Sequence, residues 1–358
     1  MQFHPKKLSD QVWVITGATS GIGLATAKMA AKRGVKLMLF ARNEKELSRI
    51  CGEIRSRGGR AEYVVGDVAD KDDVLKLADR ARRVFGGVDT WVNNAGISIY
   101  GKLTEVHLEE KRRLFDVNFW GVVHGCRAAY PIMKDHGGMI INLGSVVSDR
   151  AIPLQGIYSA AKHAVRAYTD ALRMEFEKDR VPIHVTLVKP AGINTPYPMH
   201  AHNHMESQGR LPGPVYDPDV VARALLTCAV KPRRHLIVGG AGVMFALMEQ
   251  LMPRLGDYFM EAAMFRSQKR QSYDPKQTRD LDNLFGVPSH EGEIRGNHPG
   301  HVRKTSFYTS AVLHPAFSLG LAMVAGTAAV LFLGKRAGSG VSVERGPGFE
   351  HGMDRTAA

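Results

Sequence analysis

Between Gln11 and about Gly240, short runs of β-branched and apolar residues alternate with longer stretches of helical length and period. The short runs are Val12–Thr16, Lys36–Ala41, Ala61–Val65, Val88–Val92, Met139–Leu143, Ile183–Val188 and His235–Val238. Between them lie stretches such as Gly21–Arg33, Glu44–Arg57, Lys71–Phe85 and Tyr158–Lys178. Strand–helix alternation implies right-handed crossovers, hence a parallel sheet with helices on both faces. The expected fold is α/β: a Rossmann-like, doubly wound sheet of seven parallel strands over residues 1–240, followed by a C-terminal helical extension.

Past Gly240 the pattern changes. Val243–Phe265 is rich in Met, Leu and Phe and is broken by Pro253, which predicts a helical extension over 241–270 that packs on the domain or roofs an apolar substrate channel. Residues 271–304 are polar, with Pro275, Pro288 and Pro299, and read as a linker or loosely packed arm. Thr305–Gly334 contains no Asp, Glu, Lys or Arg. Its Ala316–Leu333 portion is close to the ~20 residues that cross a bilayer. Arg303, Lys304, Lys335 and Arg336 flank it, so residues 305–334 are expected to form a membrane-anchor helix, with a disordered Gly-rich tail over 335–358.

Chemistry enters at the first strand. Val12–Thr16 runs into Gly17-Ala18-Thr19-Ser20-Gly21-Ile22-Gly23 and on into a helix. Such a turn places backbone amides and the positive end of a helix where a pyrophosphate can sit. Gly17 permits the tight turn, Gly21 lets the backbone approach the ligand, and Gly23 allows close helix–sheet packing. The second strand ends at Phe40-Ala41-Arg42-Asn43, with no acid to hold a ribose 2′-hydroxyl and with Arg42 available to a 2′-phosphate. NADP(H) is therefore expected over NAD(H).

Tyr158 and Lys162 are four residues apart in a predicted helix and share a face. An ammonium beside a phenol stabilises the phenolate and lowers its pKa, so Tyr158 could exchange a proton with a carbonyl oxygen. With Asp67 after the third strand, Asn93-Asn94-Ala95-Gly96 after the fourth, Asn118 in Asp116-Val117-Asn118-Phe119, and Ser145 after the fifth, the chain resembles the main branch of the short-chain dehydrogenase/reductase family. Pro190-Ala191-Gly192-Ile193-Asn194-Thr195 after the sixth strand completes the likeness, which covers about Leu8–Gly240.

The resemblance implies a catalytic set of Asn118, Ser145, Tyr158 and Lys162. Tyr158 is the acid/base, Ser145 orients the substrate oxygen, Lys162 binds the nicotinamide ribose and tunes Tyr158, and Asn118 helps hold a proton-relaying water. It implies a cofactor set of Gly17, Thr19, Ser20, Gly21, Ile22, Gly23, Arg42, Asp67, Val68, Asn94, Ala95, Gly96, Pro190, Gly192, Ile193 and Thr195, together with Tyr158 and Lys162. Asp67 is expected to face the adenine, and Ile193 and Thr195 the carboxamide. Ala191 departs from the family pattern, where Gly is frequent, and this bears on local loop geometry.

Composition and charge change this picture little. The 358 residues are 44% hydrophobic and 23% charged, ordinary for a globular protein. The net charge of +13 is spread along the chain without interleaved aromatics, so a solvated basic surface is expected rather than a nucleic-acid interface. Cys51, Cys126 and Cys228 form neither a disulfide framework nor a metal-ligand pattern. The opening Met1–Gln11 has no apolar core, and no secretory signal is expected. In Met199-His200-Ala201-His202-Asn203-His204, a helix would put His200 and His204 on one face. No metal is expected there, because the segment falls in the substrate loop, where a mobile lid is the better expectation.

The expected function is an NADP(H)-dependent carbonyl reductase or alcohol dehydrogenase for a small hydrophobic ketone, aldehyde or alcohol, membrane-associated with its catalytic domain facing the cytoplasm. A homo-oligomer is compatible with this. The rival is a non-catalytic dinucleotide-binding regulator or scaffold.

Overall fold

A computed structural model describes residues 4–269, 282–288 and 291–314. Its centre is a seven-stranded sheet: β1 (Val12–Thr16), β2 (Lys36–Ala41), β3 (Arg60–Val65), β4 (Thr90–Asn93), β5 (Gly138–Leu143), β6 (Ile183–Pro190) and β7 (His235–Val238). The spatial order is β7-β6-β5-β4-β1-β2-β3, and every pairing is parallel. This is the expected fold. Strand limits differ slightly from expectation: β4 starts at Thr90, where Val88 had been the expected first residue, and β6 runs on to Pro190.

All five residues of β1 are buried, as a strand covered on both faces requires. Trp13 and Ile15 join Leu37, Leu39 and Leu24 in one core layer, while Val14, Met38 and Phe40 join Leu77 and Trp91 in the other. The period-two alternation of side chains thus divides each strand between two apolar layers.

The helices on these layers begin and end where local chemistry dictates. In α1 (Gly21–Ala31) the apolar face packs under β1 and β2. Asn43 caps α2 (Glu44–Ser56) by accepting the Glu46 N–H at 3.1 Å. Asp70 caps α3 (Lys71–Phe85) by accepting the Asp72 N–H at 2.8 Å, and α3 stops at the left-handed Gly86. Val74, Leu77, Ala78 and Ala81, at helical spacing, form the buried face of α3. A five-residue π-helical stretch, Asp116–Trp120, joins α4 (Leu108–Phe115) to α5 (Gly121–Met133). The long α6 (Gly156–Lys178) carries Tyr158 and Lys162 in its first two turns.

Beyond α7 (Pro218–Cys228) and β7 the extension is two helices, α8 (Ala241–Leu251) and α9 (Pro253–Phe259), with Pro253 starting the second. The turn that follows, Met260–Met264, buries Met260 and Met264 against Val146, Val147 and Ile152. Arg150 anchors both helices through Glu249 and Asp257.

The segment read as a polar linker does not stand off from the domain in its described parts. Leu284 is fully buried in the core layer of Val14 and Leu77, and Arg295 bridges Asp217 and Asp219. Composition conceals this because the docking is mainly by backbone groups and arginines. Of the expected anchor, 305–334, the described part does not form an anchor: Phe307–Leu313 is a short helix that buries Leu313 in the core layer of Trp13 and Ile15, and Thr309 Oγ1 accepts the Gly239 N–H at 3.0 Å. Residues 315–334 and the tail lie outside the described residues. Among the described residues no helix is long and apolar enough to cross a membrane.

Candidate active site

The strand order reverses between β1 and β4, so the loops leaving their carboxyl ends diverge and open a crevice. Asn94 ties the two strand ends together: Nδ2 donates to Thr16 O at 2.9 Å and to Gly17 O at 3.0 Å. Thr16 Oγ1 in turn accepts the Asn94 and Ala95 N–H groups at 3.0 and 3.1 Å. Gly17 adopts φ +64°, which L side chains rarely do, and a Cβ there would meet Ala95 Cα at 2.8 Å. A Cβ on Gly23 would stand 2.0 Å from Gly17 O. The turn therefore has no room for a side chain at Gly17 or Gly23, and it brings backbone amides to the start of α1, where a dinucleotide phosphate can be held.

A groove runs from this turn over the ends of β2 and β3. Gly17, Thr19, Ser20, Gly21, Ile22, Arg42, Asp67, Val68, Asn94, Ala95, Gly96 and Thr195 line it. Gly23 lies beneath the groove. Asp67 lines it while bonded to Arg113, so one face of its carboxylate is already held.

Two residues that sequence reasoning missed close the same end, Asn283 and Glu291. Arg42 Nη2 donates to Asn283 O at 2.7 Å. Gly21 N–H donates to Glu293 O at 2.9 Å, and Gly292 N–H to Thr19 O at 3.1 Å. Burial raises the Glu291 carboxyl, against weaker pulls from Thr19, Asn43 and Arg42. Nothing in the local sequence of this arm signals a groove wall; its contacts are set by tertiary packing.

At its other end the groove meets a cavity that contains Ser145, Tyr158, Lys162, Pro190, Gly192, Ile193 and Thr195. Three secondary elements converge on it. Ser145 follows β5, where its Oγ accepts the Val147 N–H at 3.3 Å. Lys162 Nζ donates to Leu143 O at 2.7 Å and stands 5.7 Å from the Tyr158 ring centroid. Most of the remaining wall is apolar, with Val146, Val147 and Ile152, Leu211 and Pro212 of the substrate loop, and Phe245 and Met264 of the extension; Gln155 and Tyr197 add polar atoms. The extension therefore contributes to the roof of this cavity.

Asn118 borders neither space. Its Oδ1 accepts the Ile97 N–H at 2.8 Å and its Nδ2 donates to Ile97 O at 2.9 Å, which fixes it in the π-helical stretch. It is nonetheless adjacent to the site, since a Cβ on Gly96 would lie 3.4 Å from Asn118 Oδ1 and 3.9 Å from Lys162 Nζ.

The expected lowering of the Tyr158 pKa does not hold in this structure. Burial pushes the phenol up to about 12, and the hydroxyls of Tyr197 and Ser145 pull the other way. Burial lowers Lys162 to about 8. The ammonium is directed at Leu143 O, and loss of water outweighs its proximity to the ring. Tyr197 is a further residue that the sequence reading missed. Its ring meets that of Tyr158 edge-on at 5.5 Å, and its hydroxyl lies within hydrogen-bond distance of Ser98 Oγ at 2.7 Å and Gln155 Oε1 at 2.9 Å. A tyrosine two residues after Thr195, at the head of the substrate loop, was the available signal.

The histidine segment also departs from expectation. Tyr197–His200 is one short helical turn and His202–Asn203 is a strand beside Ile99–Tyr100. His202 and His204, rather than His200 and His204, converge, and they do so on Glu110 of α4. The strand period of two replaces the assumed helical period.

A family model for short chain dehydrogenase matches residues 11–206. The chain is a short-chain dehydrogenase/reductase. An uncharacterized oxidoreductase of Bacillus subtilis, YxnA, is 41% identical over 329 residues, covering 90% of each chain. Among solved structures, this short-chain dehydrogenase/reductase is similar to an alcohol dehydrogenase from Thermococcus sibiricus complexed with 5-hydroxy-NADP. The two are 29% identical with TM-score 0.56, covering 63% of this chain and 95% of that one. It is also similar to a short chain dehydrogenase/reductase from Burkholderia phymatum in complex with NAD, with 26% identity and TM-score 0.62 over 76% of this chain and 99% of the other. The protein is thus an NAD(P)-dependent oxidoreductase by family, with a small-molecule substrate.

Proposed function

We propose that this short-chain dehydrogenase/reductase is an NADP(H)-dependent carbonyl reductase or alcohol dehydrogenase for an apolar ketone, aldehyde or alcohol. The observation that carries the reading is the meeting of Ser145, Tyr158 and Lys162 in one cavity whose other walls are mainly apolar. Such a cavity desolvates an apolar substrate and leaves a few polar groups to orient its oxygen.

The backbone of the Gly17–Gly23 turn, with Asn94 and Thr195, would hold a dinucleotide, which when bound would supply hydride-transfer chemistry to a carbonyl or alcohol carbon. In reduction, Ser145 donates a hydrogen bond to the substrate oxygen and Tyr158 gives that oxygen its proton. A phenol pushed up to about 12 is fully protonated at neutral pH, as a proton donor must be. Lys162 carries positive charge beside the phenol as the phenolate develops, and Asn118 steadies the path by which the proton is replaced.

Arg42, which borders the groove at the end of β2, supports NADP(H). Glu291 in the same pocket supports a second reading, NAD(H), since a carboxylate there would accept from a ribose 2′-hydroxyl and repel a 2′-phosphate. The charge-free Ala316–Leu333 stretch supports membrane attachment, and use of an intracellular dinucleotide supports a catalytic unit on the cytoplasmic side. Fractionation of chains with and without residues 305–358 tests this, and equal solubility would end it.

The reaction itself is tested with Tyr158→Phe. Turnover against a panel of apolar carbonyls should fall ~100- to 10,000-fold, the range for losing a general acid. Dinucleotide binding, read by nicotinamide fluorescence, should persist. Unchanged turnover would defeat the assignment.

A further inference from the structure

We propose that Glu110, His202 and His204 form a binding site for a divalent transition-metal ion, zinc by its ligand chemistry, which clips the substrate loop and the C-terminal arm onto α4. The one-atom ligands that these three side chains offer all lie within 4.8 Å of one another. Glu110 Oε1 is 3.0 Å from His202 Nε2, and Glu110 Oε2 is 2.7 Å from His204 Nε2. Two imidazole nitrogens and a carboxylate are the donor set of many zinc sites that leave a fourth position open.

The scaffold is firm on every side. The His202 N–H donates to Ser98 O at 3.0 Å and the His204 N–H to Tyr100 O at 2.8 Å, so both histidines project from one face of a hydrogen-bonded strand pair. Glu110 is fixed by the His107 N–H, which donates to Oε2 at 2.9 Å in the first turn of α4. His204 packs closely on the backbone of Gly101, where a Cβ would stand 2.9 Å from its own.

Outside the three donors the partner of His202 points to metal ligation. Its Nδ1 is bonded to Asp282 of the arm. A carboxylate on Nδ1 fixes the proton there and leaves Nε2 free of one, the arrangement typical of metal-bound histidine. Without a metal, His202 instead places both ring nitrogens against carboxylates, Asp282 and Glu110. An ion between Nε2 and Glu110 would replace the hydrogen bond at Nε2 with two coordinate bonds and keep the one from Nδ1 to Asp282.

The consequence is a link between segments far apart in sequence. The loop bearing His202 and His204 begins at Thr195 and Tyr197, both of which line the substrate cavity. Asp282 adjoins Asn283, whose carbonyl holds Arg42 in the cofactor groove. One ion would thus order two walls of the active-site cleft without taking part in the chemistry. The proposal does not depend on the redox reading.

Zinc binding to the chelator-stripped full chain, measured by competition with a chromophoric chelator, tests this. The expected result is one tight equivalent per chain, with thermal unfolding shifted upward. Cobalt(II) in its place should give the visible bands of a low-coordinate nitrogen–oxygen site. His202→Ala and His204→Ala should each weaken zinc at least ~100-fold, and Asp282→Asn about 10- to 100-fold, as loss of an outer-shell partner does. Zinc that binds weakly, or equally well to the His202→Ala/His204→Ala double variant, would overturn the proposal. If the alanine variants fail to fold, X-ray absorption of the zinc-loaded wild-type chain decides: two imidazoles and a carboxylate oxygen support the site, and any other shell refutes it.

Discussion

The Tyr197 ring stands edge-on to that of Tyr158, centroids 5.5 Å apart, and its hydroxyl is one of the two that draw the Tyr158 pKa downward. Tyr197 hydrogen-bonds Ser98 and Gln155, so it is positioned by the loop after β4 and by the residue preceding α6. Tyr197→Phe keeps the edge contact and removes the hydroxyl. The expected outcome is about a tenfold lower kcat for reduction, equivalent to roughly 1.4 kcal/mol, with dinucleotide affinity unchanged. A change in affinity with kcat intact would assign Tyr197 to the groove instead.

Lys162 sets a pH dependence. Its pKa is lowered from 10.5 to about 8, so in the folded protein it loses its proton as pH rises through about 8. Tyr158 remains protonated there. Reduction should therefore show one descending limb near pH 8, and Lys162→Arg, which keeps its charge, should abolish that limb at a lower absolute rate. Linkage gives a second reading of the same group. Between about 8 and 10.5 the unfolded chain binds more protons at this lysine than the folded one, so its contribution to stability rises with pH across that window. A limb that survives in Lys162→Arg would place the titration elsewhere.

Two glycines should respond oppositely to the same substitution. A Cβ on Gly23 meets Gly17 O at 2.0 Å, backbone against backbone, so Gly23→Ala must displace α1 or the turn. It should cost about 1–3 kcal/mol or more and abolish dinucleotide binding. Gly52, inside α2, has nothing within 4 Å of its would-be Cβ. Gly52→Ala should stabilise by about 0.5–1 kcal/mol, through lost freedom in the unfolded chain. Urea midpoints for both variants check the pair.

Local signals and long-range ones explain which features the sequence disclosed. The five inner strands were legible because each is a short apolar run buried along most of its length, while the edge strands β3 and β7, only partly buried, showed through their β-branched and apolar residues between turn segments. Helix α3 was legible to the residue, since Asp70 and Gly86 mark its ends by their own chemistry. Tyr158 and Lys162 were placed on one helix face by spacing, and Ser145 was named through the family resemblance; all three line one cavity. Glu110 was not, because nothing near residue 110 predicts two histidines almost a hundred positions later. The arm failed for the same reason: Asn283, Glu291 and Glu293 reach the groove by tertiary docking, mainly through backbone groups that no side-chain pattern encodes. The pKa of Tyr158 failed differently, because proximity of Lys162 was legible and desolvation was not.

The choice of cofactor turns on Arg42 and Glu291, which share one pocket with opposite charge preferences. Arg42 is half committed, since Nη2 is held by Asn283 O at 2.7 Å. Its other donors can face a 2′-phosphate, because a guanidinium carries five N–H groups. Glu291 Oε2 is buried and has no hydrogen-bond partner among the described residues, so it can take a proton or accept from a ribose hydroxyl. If NADP(H) is the cofactor, Arg42→Ala should raise KM for NADPH at least ~10-fold, leave KM for NADH nearly unchanged, and cost more as salt is lowered, as a lost charge-assisted contact does. Glu291→Gln should then improve NADPH by removing a negative charge from beside its phosphate. If NAD(H) is the cofactor, Glu291→Gln should instead weaken NADH and Arg42→Ala should change little. Steady-state kinetics of the two variants with both dinucleotides separate the cases, because the same two substitutions move KM in opposite patterns.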